Sequence, residues 1–327
     1  MESIIQNLQQ DIQHQERIHI AVSGGIDSIG LLIALCKAVS EDQEIVAHHV
    51  KHNVSSNTQV WANFVEQTTL QAKKDFDVNI TYLEHNLDLS EQKSNFESVA
   101  REMRYNAIIA SMTQGEHLYV GHHADDQVEN VLMNVLKGRG LKGITSLRAT
   151  SNMKGIVVKR PFLSVEKKEV EQYIKDAGYS NIHDESNDSS DYDRNFVRNK
   201  VVPLVLNRFP AVKKAVMATY HSLLSTDMAM EELVADKVEQ LKVGEDTYDV
   251  KAFNQLSHQV QKECLMYILR KKHFYRYGKK VLEELCRQSY YVEHRGKMNS
   301  KTIFKNGTQE VHAVFEKQDS RKVMIFH

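Results

Sequence analysis

The segment Arg17-Ile18-His19-Ile20-Ala21-Val22-Ser23-Gly24-Gly25-Ile26-Asp27-Ser28 decides how this chain is read. Its first seven residues, RIHIAVS, form a short apolar run that predicts a strand. The stretch Ser28–Val39 (SIGLLIALCKAV) is apolar on nearly every side and predicts a mostly buried helix. Between them, Gly24 and Gly25 can adopt positive φ and let the backbone come close to a ligand. Amides at the start of the following helix would point at an anion, and the hydroxyls of Ser23 and Ser28 add donors. The loop is therefore a candidate phosphate cradle. No Gly-Lys-Ser/Thr follows, and the spacing is not GxGxxG, so neither common nucleotide fingerprint applies. A tight turn with a Ser or Asp helix cap is the plainer structural alternative.

The same alternation continues outward. Strands are predicted at Glu44–Val50, Val78–Glu84 and His117–Gly121, with helices at Thr58–Lys73, Phe96–Met112 and Ala124–Leu136. Ile156–Arg160 and Glu166–Ala177 add one more pair. Strands alternating with helices predict a parallel sheet covered on both faces. A loop rich in Asn, Asp and Ser, Asn181–Asp193, precedes a short apolar helix ending near Pro210. Beyond it the pattern changes to long helices, Val212–Leu241 and Val250–Arg270, and then to a small β hairpin or meander over Thr302–Phe326. The expectation is an α/β domain over residues 1–210 and a mainly helical domain with a small β tail over 211–327. A chain of 327 residues is long enough for two cores.

Bulk composition excludes more than it selects. Lys and Arg number 42 against 43 Asp and Glu, so any basic surface for nucleic acid must be local. Cys36, Cys264 and Cys286 stand far apart with no CxxC pair, which argues against a disulfide framework or a metal knuckle. The first residues lack a basic start followed by an apolar core, and no apolar run approaches the ~20 residues that span a bilayer. A reducing cytoplasm is the expected setting.

Ala21–Ser28 resembles the SGGxDS signature of the PP-loop ATP pyrophosphatases, which split ATP between the α and β phosphates. Further segments, in order, resemble one branch of that superfamily, the tRNA(Ile)-lysidine synthetases. They are His49-Val50-Lys51-His52-Asn53, with Asn53 where glycine is usual, and Glu97 to Tyr105 (ESVAREMRY). Gly121 to Asn130 (GHHADDQVEN) follows, with Asn130 in place of threonine, then Lys137 to Gly143 (KGRGLKG). Arg160-Pro161-Phe162-Leu163, Asp184-Glu185-Ser186-Asn187 and Arg194-Asn195-Phe196-Val197-Arg198 complete the set. Together they cover about residues 17–210.

The residue chemistry stands beside this resemblance. Arg101 and Arg104 are three apart and share a helix face, which suits phosphate clamping or, more plainly, ion pairing with Glu97 or Glu102. His122, His123, Asp125, Asp126 and Glu129 crowd one strand-to-helix junction. Asp126 and Glu129 can hold Mg²⁺, receive an ammonium or, with histidine, suggest zinc, whereas Asp125 is more simply a helix N-terminal acid. The glycines around Arg139 either end a helix or form a mobile basic loop. Between Lys262 and Lys305 lie 12 Lys/Arg and 4 Glu, with aromatic residues among them. That pattern fits RNA backbone contact plus base stacking, or else a solvated helix face.

The resemblance implies ATP as co-substrate, bound at Ser23, Gly24, Gly25, Ile26, Asp27 and Ser28, with Mg²⁺. It implies tRNA(Ile) with a CAU anticodon and free L-lysine as the other partners. Asp27, Arg101, His123, Asp126 and Glu129 are the candidate catalytic residues. Arg104, Arg139, Arg194 and Arg198 are candidates for tRNA contact or the mobile loop. The metal ligands and the oligomeric state stay open. A PP-loop tRNA thiolase and a catalytically inactive RNA-binding relative are the rival readings; the isolated cysteines weigh against the first and the intact loop and acidic cluster against the second.

Overall fold

A computed structural model describes residues 1–52, 58–88, 96–182, 192–272, 274, 279–295, 301–306, 309–318 and 321–327. It divides into two compact units, Met1–Leu223 and Leu224–His327. This division falls inside one long helix, whereas the change of sequence pattern falls before it, at residue 210/211.

The first unit is built on a six-stranded sheet. Its strands are β1 (Arg17–Ala21), β2 (Glu44–His52), β3 (Asn79–Leu87), β4 (His117–Tyr119), β5 (Thr150–Met153) and β6 (Ile156–Lys159), in the order β3-β2-β1-β4-β6-β5. Every pairing is parallel except the edge hairpin β5–β6. Lys154 and Gly155 turn that hairpin with φ of 54° and 86°, the positive pair that a two-residue hairpin turn demands. The expected parallel α/β architecture is the one observed. The helix α1 (Glu2–Ile12) and the strand β5 are additions that the sequence pattern did not announce.

Two features position the site. Helix α2 (Ile26–Cys36) is buried along Ser28–Cys36, because it is apolar on all sides and lies between the sheet and α7 (Lys167–Asp176). Gly30 permits that contact, since a Cβ there would stand 2.6 Å from Val170 Cγ1. The chain lays β2 and β3 on one side of β1, then returns to place β4 on the other. In such sheets ligands bind in the crevice beyond the strand ends where the order reverses. The β1–α2 loop and the loop before α5 (Ala124–Leu136) both open there.

The second unit carries the end of α10 (Val212–Leu241), three further helices and an antiparallel sheet. The helices are α11 (Val250–Asn254), α12 (His258–Lys271) and α13 (Lys279–Arg295). The strands are β7 (Lys242–Gly244), β8 (Thr247–Asp249), β9 (Lys301–Asn306), β10 (Gln309–Gln318) and β11 (Arg321–Phe326), in the order β7-β8-β11-β10-β9. The expected β tail is thus three strands of a five-stranded sheet, completed by β7 and β8. Phe253, Leu265, Leu269, Leu285, Phe315 and Met324 fill its core.

Candidate active site

The glycine loop is drawn tight by its own hydroxyls. Gly24 adopts φ +88°, Ser28 Oγ donates to the Gly25 carbonyl at 2.9 Å, and Ser23 N–H reaches Ser28 Oγ at 3.2 Å. Gly25 is the N-cap of α2, so the first amides of that helix face the crevice with the positive end of its dipole. The Ile182 amide closes the loop from behind, donating to the Gly24 carbonyl at 2.9 Å. Gly121 brings the second loop up against the first. A Cβ on Gly121 would lie 2.7 Å from the Asp27 carbonyl oxygen, so only glycine allows this approach.

His123 is the N-cap of α5. Asp126 N–H donates to His123 Nδ1 at 3.3 Å, and the Asp126 carboxylate accepts from the His123 amide at 3.0 Å, a reciprocal capping box. With Nδ1 accepting from the Asp126 amide, Nε2 is the ring nitrogen left to donate. That nitrogen lies 3.4 Å from Asp27 Oδ1 and 3.6 Å from Asp126 Oδ2. Asp125 lies in the first turn of α5, where an acid complements the helix N-terminus as expected; it also accepts from the Lys167 amide at 3.0 Å and pairs with Lys213.

Arg194 and Arg198 join this cluster from a short helix, α8 (Asp193–Phe196), and the π turn Val197–Val201 that follows it. Arg194 reaches Asp126 at 2.6 Å and Glu129 at 3.2 Å, while Arg198 reaches Glu129 at 2.7 Å and Asp126 at 3.1 Å. Asp126 and Glu129 are one turn apart and buried, so two guanidiniums and two carboxylates form a closed square. Burial alone would raise the Asp126 pKa; His123, Arg194 and the His123 amide outweigh it and hold the carboxyl below its usual range. At Asp27 the compensation falls short. Burial and then the charge of Asp126 push its carboxyl up to about 6 against the pull of His123, and its Oδ1 is buried without a hydrogen-bond partner.

Arg101 lies on α4 (Phe96–Ile109), stacks over Tyr105, and places a guanidinium nitrogen 3.1 Å from His122 Nε2. Burial first, and Arg101 next, keep His122 well below its usual pKa and neutral. With Nε2 accepting, His122 carries its proton on Nδ1, which is buried without a hydrogen-bond partner. Reading the sequence singled out His123 and left His122 unassigned; its only signal was the doubled histidine. Arg104 is half-buried on α4. Arg139 is not brought to this cluster: it is exposed beyond the far end of α5 and donates to Asn134 Oδ1 at 3.2 Å. The short helix α6 (Leu141–Ile144) follows it, where a loop was expected. Asn53, Asp184, Glu185, Ser186 and Asn187 lie outside the described residues. Among the described residues no group of three or more His, Cys, Asp or Glu could hold a metal ion. Cys36, Cys264 and Cys286 are all buried and free.

A parallel sheet with this loop at its switch point defines a PP-loop ATP-binding domain, and residues 1–205 match the family model described as "PP-loop domain". The chain is 31% identical over 295 residues to the tRNA(Ile)-lysidine synthase of Actinobacillus pleuropneumoniae serotype 3, covering 89% of this chain and 68% of that one. With the enzyme of the same name from Haemophilus ducreyi it shares 30% identity, over 80% of this chain and 59% of the relative. With that of Vibrio parahaemolyticus it shares 33%, over 68% of this chain and 50% of the relative. The chain belongs to the tRNA(Ile)-lysidine synthase family, a family of ligases within the PP-loop class. It spans between half and about two thirds of the length of these relatives. Among solved structures it is similar to the U34-tRNA thiolase NcsA of Methanococcus maripaludis, with a TM-score of 0.50 at 14% identity, covering 68% of this chain and 80% of that one. At that identity the likeness speaks to the fold alone. Among the described residues no helix is long and apolar enough to cross a membrane.

Proposed function

We propose that this chain joins free L-lysine to C2 of the wobble cytidine of tRNA(Ile) carrying a CAU anticodon, at the expense of ATP. The observation that carries the reading is the close seating of the Gly24–Gly25 loop against the Gly121–Glu129 segment at the switch point of the sheet. It puts a phosphate cradle beside a charged, histidine-bearing cluster, in a member of the lysidine synthase family.

In the first step the C2 carbonyl oxygen of cytidine attacks the α-phosphorus of ATP. The bond to the β-phosphate oxygen breaks, and pyrophosphate departs into the amides of Ser23–Ser28. In the second step the ε-nitrogen of lysine attacks C2, the C2–O bond breaks, AMP leaves, and the nitrogen gives up a proton. The chemistry is mostly positioning and charge neutralisation. Arg101 and Arg104 meet phosphate charge. Asp27, with an unpartnered carboxylate oxygen, is the residue that fits Mg²⁺, which would neutralise phosphate charge when bound. Asp126 and Glu129 orient or deprotonate the lysine amine, which has an ordinary pKa of about 10.4. Arg194 and Arg198 pair with both carboxylates. The acceptor base must be splayed out of its stack, as in an anticodon loop.

Residues 211–327 are proposed to grip the tRNA through the basic, aromatic-interleaved stretch 262–305. Described members of that stretch support this: Arg287 and Arg295 both lie over the Tyr291 ring, at 5.3 and 4.8 Å, and Tyr290 is exposed. The test is incubation with ATP, labelled lysine and tRNA(Ile). Label entering RNA with stoichiometric AMP and pyrophosphate is expected; incorporation of sulfur, or no label with folded protein, sinks the reading.

A further inference from the structure

Across β1, β2 and β3, three histidines on neighbouring strands form an unbroken row. His19 of β1 places Nδ1 2.8 Å from Nε2 of His48 on β2, and His48 Nδ1 lies 2.9 Å from Nε2 of His85 on β3. Consecutive rings lie edge to edge with their planes 20° apart and centroids 5.1 and 5.2 Å apart. His19 and His48 are fully buried. At the inner end Glu116 Oε2 stands 3.0 Å from His19 Nε2, a close contact but a bent one. The strand register puts all three side chains on one face, that of Ala21 and Val50, where Tyr105, Ile108 and Ile109 of α4 pack. The charged and titratable groups acting on the row are Glu116, Arg17 and Glu44 at its inner end and His49 at its outer end. From the helix above, only Tyr105 among these packing residues is titratable.

The proton count of such a row is fixed. Each ring-to-ring contact needs one nitrogen that donates and one that accepts. The Glu116 carboxylate can only accept, so it favours a proton on the facing His19 Nε2 although the contact falls short of hydrogen-bond geometry; His19 Nδ1 then accepts from His48 Nε2, and His48 Nδ1 from His85 Nε2. All three rings are then neutral Nε2–H forms. One extra proton entering at His85 fits if the bonds reverse along the row and the charge comes to rest on His19 beside Glu116. A second extra proton sets two N–H groups against each other, and no arrangement of the row absorbs it.

We propose that the Glu116–His19–His48–His85 row is a single-proton unit that seats α4, and that acid beyond its one proton breaks the row and opens the fold beneath α4. This stands apart from the lysine-ligation reading, except that α4 also carries Arg101. Burial keeps His19 and His48 below their ordinary range, in keeping with a row that resists protonation.

The sign is as follows. Well below the ordinary histidine value of ~6.5 the unfolded chain binds three protons at these residues and the folded row one. The unfolding constant therefore rises about 100-fold per unit fall in pH from the row alone. Two measurements on the full chain decide the matter. Nitrogen-15 spectra of the imidazoles at pH 7.5 should find His19, His48 and His85 all as neutral Nε2–H tautomers; a charged ring or an Nδ1–H tautomer at His19 or His48 overturns the count. Urea unfolding between pH 7 and 5 should then compare the parent with His48→Gln, whose amide bridges the same two rings but does not titrate. The parent's unfolding constant should rise more steeply than the variant's as pH falls, the difference approaching about tenfold per pH unit only near pH 5. Parallel slopes overturn the proposal, and His48→Leu gives a second slope should the Gln variant fold poorly.

Discussion

His123 Nε2 stands almost equally far from two aspartates, 3.4 Å from Asp27 and 3.6 Å from Asp126, yet the protein surrounds them in opposite ways. Asp126 closes a capping box and receives two guanidiniums, and its carboxyl is held below the usual range. Asp27 is partly exposed at the start of α2, but its Oδ1 is buried without a hydrogen-bond partner, and its carboxyl is pushed up to about 6. Buried charges in proteins are ordinarily paired. The difference teaches which carboxylate the fold has completed by itself and which it holds in readiness for something from outside. Asp126 belongs to the architecture of the crevice, whereas the raised carboxyl of Asp27 is expected to cost stability when ionised.

The largest effect is expected from breaking the completed side. Arg198→Met should lower folding stability by about 3 kcal/mol, because it leaves Glu129 and Asp126 buried with Arg194 alone. Arg198 is itself partly exposed, which keeps the figure at the low end for an interrupted buried pair. Urea denaturation checks it; a change under about 0.5 kcal/mol would mean that the square is ornamental. Asp27→Asn should act the other way on the fold and against it on activity. Turnover in the lysine-ligation assay should fall on the order of 10²-fold, as when one group meeting transition-state charge is removed. The protein should meanwhile become harder to unfold. Loss of both activity and stability would place Asp27 with Asp126.

This contrast also marks what the sequence reveals. The β1–loop–α2 segment reads directly, because an apolar run, two glycines and a second apolar run are local signals. Helix α10 likewise begins and ends where its pattern does, at Val212 and Leu241. The three-residue strands β7 and β8 do not read, since three residues carry no alternation; their place is set by pairing β8 with β11, some 75 residues away. Helix α1 is legible only once its Leu8 and Ile12 are known to be the buried face. In the crevice the residue types at 121–129 are visible as a crowd. The square with Arg194 and Arg198 is not, because the partners are 65 to 72 residues apart and no periodicity links them. Nor could composition show that Asp27 Oδ1 is buried without a hydrogen-bond partner, which is a property of packing.

A smaller effect tests the seam between the two loops. Gly121→Ala puts a methyl carbon 2.7 Å from the Asp27 carbonyl oxygen and 3.1 Å from the Ser28 amide nitrogen. Backbone on both sides has little room to retreat, so a cost of about 1–3 kcal/mol is expected, as for other overpacked positions. The same shift tilts the amides at the start of α2, and ATP binding should weaken with it. Unchanged ATP affinity in a destabilised Gly121→Ala protein would separate the phosphate cradle from the seam.

The smallest effect is a slope, and it bears most directly on the comparison. The Asp27 carboxyl is raised in the folded protein from 3.8 to about 6. Between those values the folded state binds more protons than the unfolded one, so lowering the pH favours folding through this group. Its ionisation therefore imposes a cost that is fully present above about pH 6 and fades as pH falls towards 3.8. Asp27→Asn lacks that cost at every pH. The stability gap between variant and parent should be about 2 kcal/mol at pH 7.5, allowing for the partial exposure of the side chain, and should close by at most about 1.4 kcal/mol per pH unit below 6. The histidine row and the other titrating groups are common to both proteins and cancel in the difference. Asp126→Asn should give the mirror image. Its carboxyl is held low, so the parent is the more stable partner above the ordinary aspartate range, and that advantage disappears only as acid protonates Asp126 itself. Gaps of the same sign for the two variants, or a gap for Asp27→Asn that does not move between pH 7.5 and 5, would mean that the two aspartates share one environment.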